Sequence, residues 1–271
     1  MRPFLFLILP FLGFSQITFT TIKLDKDLIE TSGLELYGEN FITHNDSGDK
    51  VKLYVFNPKG RLIKSVRFHD ISNKDWEDIT ADDDHYYIAD TGNNYANRKN
   101  LKIYILTKEL IVKGEISVSY GAQKDFTKRA LNSFDAEALT VVGDSLALFS
   151  KNRLTQQTEL YIFPKKAGDY VLTPSAILKV GSQITAADYN QSYDLLALTG
   201  YNFKGEHFFY TASNFIKNGW NAIALKKYLI PIENGQIEAV KIQDLSNFWL
   251  TSEGEKNGFA KLLDLKVSSK K

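Results

Sequence analysis

TSGLEL (31–36), WEDITA (76–81), AEALTV (136–141), AADYNQ (186–191) and IEAVKI (237–242) are five copies of one pattern, and their spacing decides the fold. Each copy is followed, after a short turn, by a second apolar run that ends in a polar loop: FITH, YYIA, LALF, LALT and FWL. Take the second residue of each copy as a column: Ser32, Glu77, Glu137, Ala187 and Glu238. Twelve positions later, without a gap, stand His44, Ala89, Phe149, Thr199 and Leu250. The column spacings of 45, 60, 50 and 51 residues suit the roughly 40 to 50 residues of a four-stranded propeller blade. A third run completes each unit: LYVF, KIYIL, ELYIF, HFFYT and AKLLDL.

The expected fold is therefore an all-β, five-bladed β-propeller, with six blades, one of them degenerate, as the alternative. Only 33 residues follow Glu238, enough for three strands. ITFTTIKL (17–24) is expected to supply the fourth strand of the last blade and close the ring, which removes free sheet edges. Gly38-Glu39-Asn40 and Gly143-Asp144 read as hairpin turns. The stretch from Asn214 to Tyr228 reads as an insertion in blade four.

Composition narrows the function classes. The 271 residues carry 33 basic and 32 acidic side chains, so there is no electrostatic footprint for nucleic acid. Cysteine is absent, which excludes disulfides, thiol nucleophiles and thiolate metal sites. Residues 1–16, MRPFLFLILPFLGFSQ, join one positive charge to an apolar run too short to span a membrane. They read as a signal peptide ahead of a single domain at 17–271. A monomer in the periplasm or outside the cell, without membrane insertion, is expected; a protein partner is left open. Phosphate-cradling, HExxH, Gly-x-Ser-x-Gly and dinucleotide motifs are missing.

In an antiparallel hairpin, the start of the first strand and the end of the second share an edge. The column and the loops beyond the second runs should therefore meet at one channel mouth. Ser32, Glu77, Glu137 and Glu238 are candidate metal ligands. Two residues earlier stand Glu30, Asp75, Asp135, Thr185 and Gln236. Crowded carboxylates repel unless a cation or hydrogen-bond donors compensate. Ca2+, which accepts many oxygens in loose geometry, is the first candidate and Mg2+ the second. The alternative is that the carboxylates accept hydrogen bonds from the amides of neighbouring blades.

The loops around the ring supply the other candidates. His44 and Asp46 are candidate catalytic bases. Asn45, Asp90, Asn93, Asn94, Lys151, Arg153, Tyr201 and Glu253 are candidate contacts for a small polar or anionic ligand. Asp, Asn and Gly also simply make turns, and Lys151 and Arg153 could pair with the ring itself. His69, His85 and His207 read as surface or packing residues.

At HNDSGD (44–49), DWEDI (75–79), DTGNN (90–94) and DAEAL (135–139), the chain resembles a group of exported bacterial propellers without assigned activity. It is more loosely similar to phytase-like esterase propellers. The set Ser32, Glu77, Glu137 and Glu238 also resembles that of the soluble calcium-activated nucleotidases, whose central calcium is held by such residues. The resemblance implies a metal; the nucleotide-contacting loops of that family have no match. Ala187 leaves blade four without a ligand in the column unless Thr185 or Asp188 substitutes. Two functions remain. One is a metal-dependent phosphoester or ester hydrolase with His44 or Asp46 as base; the other is a non-catalytic propeller that binds a sugar, peptide or protein.

Overall fold

Twenty-one strands carry the chain in a computed structural model that describes residues 16–46, 48–232, 235–254 and 258–268. They form five sheets, and the chain is a five-bladed β-propeller. Blade one runs β2 (Thr31–Tyr37), β3 (Asn40–Asn45), β4 (Lys52–Phe56) and β5 (Leu62–Arg67). Blade two runs β6 (Asp78–Ala81), β7 (His85–Asp90), β8 (Leu101–Thr107) and β9 (Val112–Tyr120). Blade three holds β10 (Ala136–Val142), β11 (Ser145–Ser150), β12 (Thr158–Pro164) and β14 (Ala176–Leu178). In blade four come β15 (Gln183–Asn190), β16 (Leu195–Tyr201), β17 (His207–Ser213) and β18 (Lys226–Ile230).

Blade five contains β19 (Ile237–Ile242), β20 (Asn247–Ser252) and β21 (Lys261–Ser268), and β1 (Gln16–Lys23) pairs antiparallel along β21. The N-terminal strand thus closes the ring, as the strand arithmetic requires. The signal-peptide segment lies outside the described residues apart from Gln16, which begins β1.

Burial explains why the second runs are continuously apolar rather than alternating. A blade's inner strands are covered on both faces by neighbouring blades; Leu146, Ala147, Leu148 and Phe149 are all fully buried. The outer strand β5, LIKSVR, is covered on one side at most and is largely exposed. Five apolar clusters result, one between each pair of adjacent blades. Trp76 anchors the cluster between blades one and two, against Phe68 and Tyr104. Full burial of such a side chain contributes about 3 kcal/mol.

Two features depart from a plain repeat. Blade four keeps four strands, with its insertion folded as α1 (Phe215–Asn218) and one further 3-10 turn before β18. A fifth strand, β13 (Gly168–Leu172), leaves blade three and pairs in parallel with β9 on the edge of blade two.

Candidate metal centre at the channel mouth

The inner strands do not run straight into the mouth. In blades three, four and five the pairing of the first two strands slips by one residue, between Ala136 and Ala138, Ile184 and Ala186, and Ile237 and Ala239. Such a bulge leaves one residue without a partner in the ladder and re-aims its side chain. The extra residues are Glu137, Thr185 and Glu238. This corrects the gap-free column, which put Ala187 in blade four. The β15–β16 turn spans residues 191–194, two more than the turn at 143–144, so the register there moves by two.

Thr185 does not reach the mouth. Its hydroxyl donates to the Ile237 carbonyl at 2.6 Å, as the Ser32 hydroxyl donates to the Glu77 carbonyl at 2.5 Å. Both stitch one blade to the next. Asp188, the other substitute, accepts from Ile242 N at 2.8 Å and pairs with Lys241 at 3.1 Å.

A cavity of about 360 Å3 opens at this face. It is lined by Ser32, Glu77, Glu137 and Glu238, together with Asp46, Asn94, Lys151, Arg153, Tyr201 and Glu253. Glu30 and Gln236 complete the lining, placed there by period two from the column. Asp75 and Asp135, in the same relation to Glu77 and Glu137, stand close behind and belong with the site.

Four candidates are not brought together there. His44, placed at the mouth by its position in the repeat, is instead 0% exposed and packs edge-on against Trp76 at 5.5 Å. Burial lowers its pKa to about 4, so it is neutral and away from the cavity. Asn45 donates to Asp27 O at 3.0 Å and to the Asp49 carboxylate at 3.1 Å. Asp90 pairs with Arg98 at 2.7 Å, and Asn93 donates to Phe134 O at 2.9 Å. These three residues organise loops, the role that Asp and Asn side chains commonly take there.

Charge at the mouth is compensated on one side. Lys151 Nζ lies 2.5 Å from Glu137 Oε2 and 5.1 Å from the centre of the Tyr201 ring. Burial disfavours its ammonium, yet Glu137 and Glu238 hold its pKa well above the ordinary value. Arg153 binds Asp135 at 2.8 Å, approaches Glu137 at 3.5 Å and donates to Asn94. On the other side, Asp46, Asp75 and Glu77 crowd together. Their carboxylate oxygens, one from each, lie within 4.8 Å of one another, and so do those of Glu77, Asp135 and Glu137.

Burial, followed by neighbouring carboxylates, raises Asp75 to about 6 and Glu253 to about 7. Burial outweighs Lys151 and lifts Glu137 to about 8. Glu77 and Glu238 are pushed well above the carboxylate range, again chiefly by burial. A divalent ion would relieve this repulsion, and the donor set suits one: hard oxygens from several blades in an irregular arrangement.

One backbone detail keeps the crowding in place. Gly92 lies against Asp75 and Glu77, and a Cβ there would overlap both carboxylates. Arg98 fixes this loop by donating to the Gly92 carbonyl at 2.6 Å while it pairs with Asp90.

The alternative reading of the acidic residues applies to Asp135 at the mouth and, more fully, to a different tier. Asp78, one residue after Glu77, accepts from Ile79 N and Leu139 N at 2.8 Å each and from Ala187 N at 3.4 Å. Carboxylates do stitch neighbouring blades: Asp78 and Asp188 do so in this tier, and at the mouth Asp135 accepts from Asn93 N of the blade-two loop at 2.6 Å.

Fold and site together define a five-bladed propeller with buried acidic clusters at its mouth that could hold a metal ion. No family model and no curated protein matches the chain. Among solved structures, it is similar to a Bacteroides fragilis protein named as a candidate exported protein. That likeness has 9% identity and a TM-score of 0.46, over 93% of this chain and 96% of that one. It is also similar to a chain of a mitotic checkpoint complex, at 12% identity and a TM-score of 0.42, over 88% of this chain and 61% of that one. Neither likeness bears on activity.

Proposed function

We propose that this chain is an exported propeller that holds a divalent cation, Ca2+ before Mg2+, at its mouth and binds a small polar or anionic ligand on the same face. The observation that carries the reading is the charge of one cavity: among the described residues its lining holds six carboxylates, Glu30, Asp46, Glu77, Glu137, Glu238 and Glu253, and two basic side chains, Lys151 and Arg153. An excess of negative groups in a partly buried space calls for a cation. Loose ligation by oxygens from several blades favours calcium over magnesium, which demands a near-ideal octahedron. Arg153, partly exposed at the edge of the cavity, and Tyr201 would meet the anionic or polar group of the ligand. Export rests on residues 1–16; cleavage near Ser15 or Gln16 would leave the closing strand β1 essentially whole.

The test is thermal melting after exhaustive chelation, then with Ca2+ or Mg2+ restored. Ca2+ at about 100 times its Kd should add about 2.7 kcal/mol, a rise of roughly 5 to 10 °C. No shift and no bound metal on elemental analysis would remove the reading. Gly92→Ala supplies a sharper check. The added methyl must displace the buried Glu77 carboxylate and the short Asp75 side chain, so the metal-free melting temperature should fall by a few degrees, roughly 2 to 10 °C, while most of the calcium-dependent rise is lost.

Hydrolysis of a phosphoester or ester is the second reading, favoured by one observation. Glu253, raised to about 7 at the cavity lining, has the pKa of a general base at neutral pH. With His44 buried elsewhere, Asp46 or Glu253 would take that role, and loss of turnover in Glu253→Gln with calcium still bound is the expected result.

A further inference from the structure

The mouth is not symmetric about its axis, and the asymmetry says where a cation would sit. Glu137 and Asp135 already have cations of the chain itself against them, Lys151 at 2.5 Å and Arg153 at 2.8 Å. Lys151 also interacts electrostatically with Glu238. The side built by blades three and five is thus served by a lysine ammonium, a compact point charge.

On the side built by blades one and two, no lysine or arginine among the described residues forms an ion pair with Asp75 or Glu77. Glu77 is only 5% exposed, lines the cavity, and its carboxylate takes part in no hydrogen bond or ion pair among the described residues. Every neighbouring residue that perturbs it most is another carboxylate: Glu137, Asp46, Asp75 and Asp135. A buried charge left in that state is costly. Asp75 is reached by Asn94 only at 3.4 Å, while the nearby Arg98 is spent on Asp90. Gly92, without a side chain, leaves the room in which Asp75 and Glu77 converge.

We infer that the cation seat is off the axis, on Asp46, Asp75 and Glu77 between blades one and two, and that Lys151 is a built-in cation occupying the corresponding place beside Glu137 and Glu238. The inference rests on the cation-binding reading and refines it: the ligand set becomes Asp46, Asp75 and Glu77 instead of Ser32, Glu77, Glu137 and Glu238. The seat takes a hard divalent ion, with the remaining coordination positions filled by water or by an oxygen of the ligand.

Calcium stoichiometry, measured by calorimetric titration and elemental analysis of the purified chain, tests this in four proteins. The parent should bind one Ca2+. Asp75→Asn should lose it, Glu238→Gln should keep it, and Lys151→Met should bind two, because removing the ammonium opens a second acidic place. Asp46→Asn serves as the second variant if Asp75→Asn fails to melt cooperatively, and it should also lose the ion. Retention in the Asp75 and Asp46 variants with loss in Glu238→Gln would overturn the off-axis seat while leaving cation binding at the mouth intact. Absence of calcium from the parent and from Lys151→Met alike would overturn both.

Discussion

Asp78→Ala is expected to destabilise the fold by about 3 to 5 kcal/mol, enough to lower the melting temperature by roughly 10 °C. The carboxylate is 2% exposed and accepts three backbone amides, one each from blades two, three and four. Alanine leaves all three donors buried without an acceptor, and each unsatisfied group costs about 1 to 3 kcal/mol. Asparagine keeps one acceptor oxygen and should fall between. Urea unfolding with an unchanged slope would assign the loss to the folded state. A midpoint equal to that of the parent would mean that Asp78 does not hold the blades together.

The second large effect is an alkaline limb in the stability of the metal-free protein. Asp75, Glu253 and Glu137 have folded pKa values raised to about 6, 7 and 8, and Glu77, Glu238 and Glu30 are raised as well. A carboxyl group with a raised pKa binds its proton more tightly in the fold than in the unfolded chain. Its contribution is therefore complete below the ordinary carboxylate range and is lost as pH climbs through the folded values. Asp82, held at about 2 by Lys165 and backbone amides despite burial, has the opposite sign and weakens the fold only in acid. The chelated protein should be most stable near about pH 5 and melt at least ~5 °C lower near about pH 9. Calcium should flatten that limb, because the bound ion replaces the protons. A melting temperature that stays level from weak acid to weak alkali after chelation would show that the mouth carboxylates are compensated without either.

The candidate site was half legible before folding. Glu77, Glu137 and Glu238 stand in register because the repeat itself is local: strand, short turn, strand. Period two from them also gives Glu30, Asp75, Asp135 and Gln236. His44 has the right position in the repeat but the wrong direction, since its ring packs against Trp76, a residue 32 positions along the chain. Nothing local to FITHN distinguishes a side chain turned into the channel from one wedged between blades.

The order of strands and the closure by residues near 17–24 were legible in the chain, with five blades expected ahead of six, because alternation, hairpin turns and blade length are properties of short contiguous segments. Tertiary structure alone decided that Thr185 rather than Ala187 is the bulged residue of blade four, and that β13 crosses to the edge of blade two. It alone decided that Lys151 pairs with Glu137 while Glu77 forms no ion pair among the described residues, and that Asp78 rather than its neighbour Glu77 stitches the blades. Those outcomes depend on which segments meet when the ring closes, on one-residue slips in pairing that turn a side chain from one face to another, and on the burial that sets what an uncompensated charge costs.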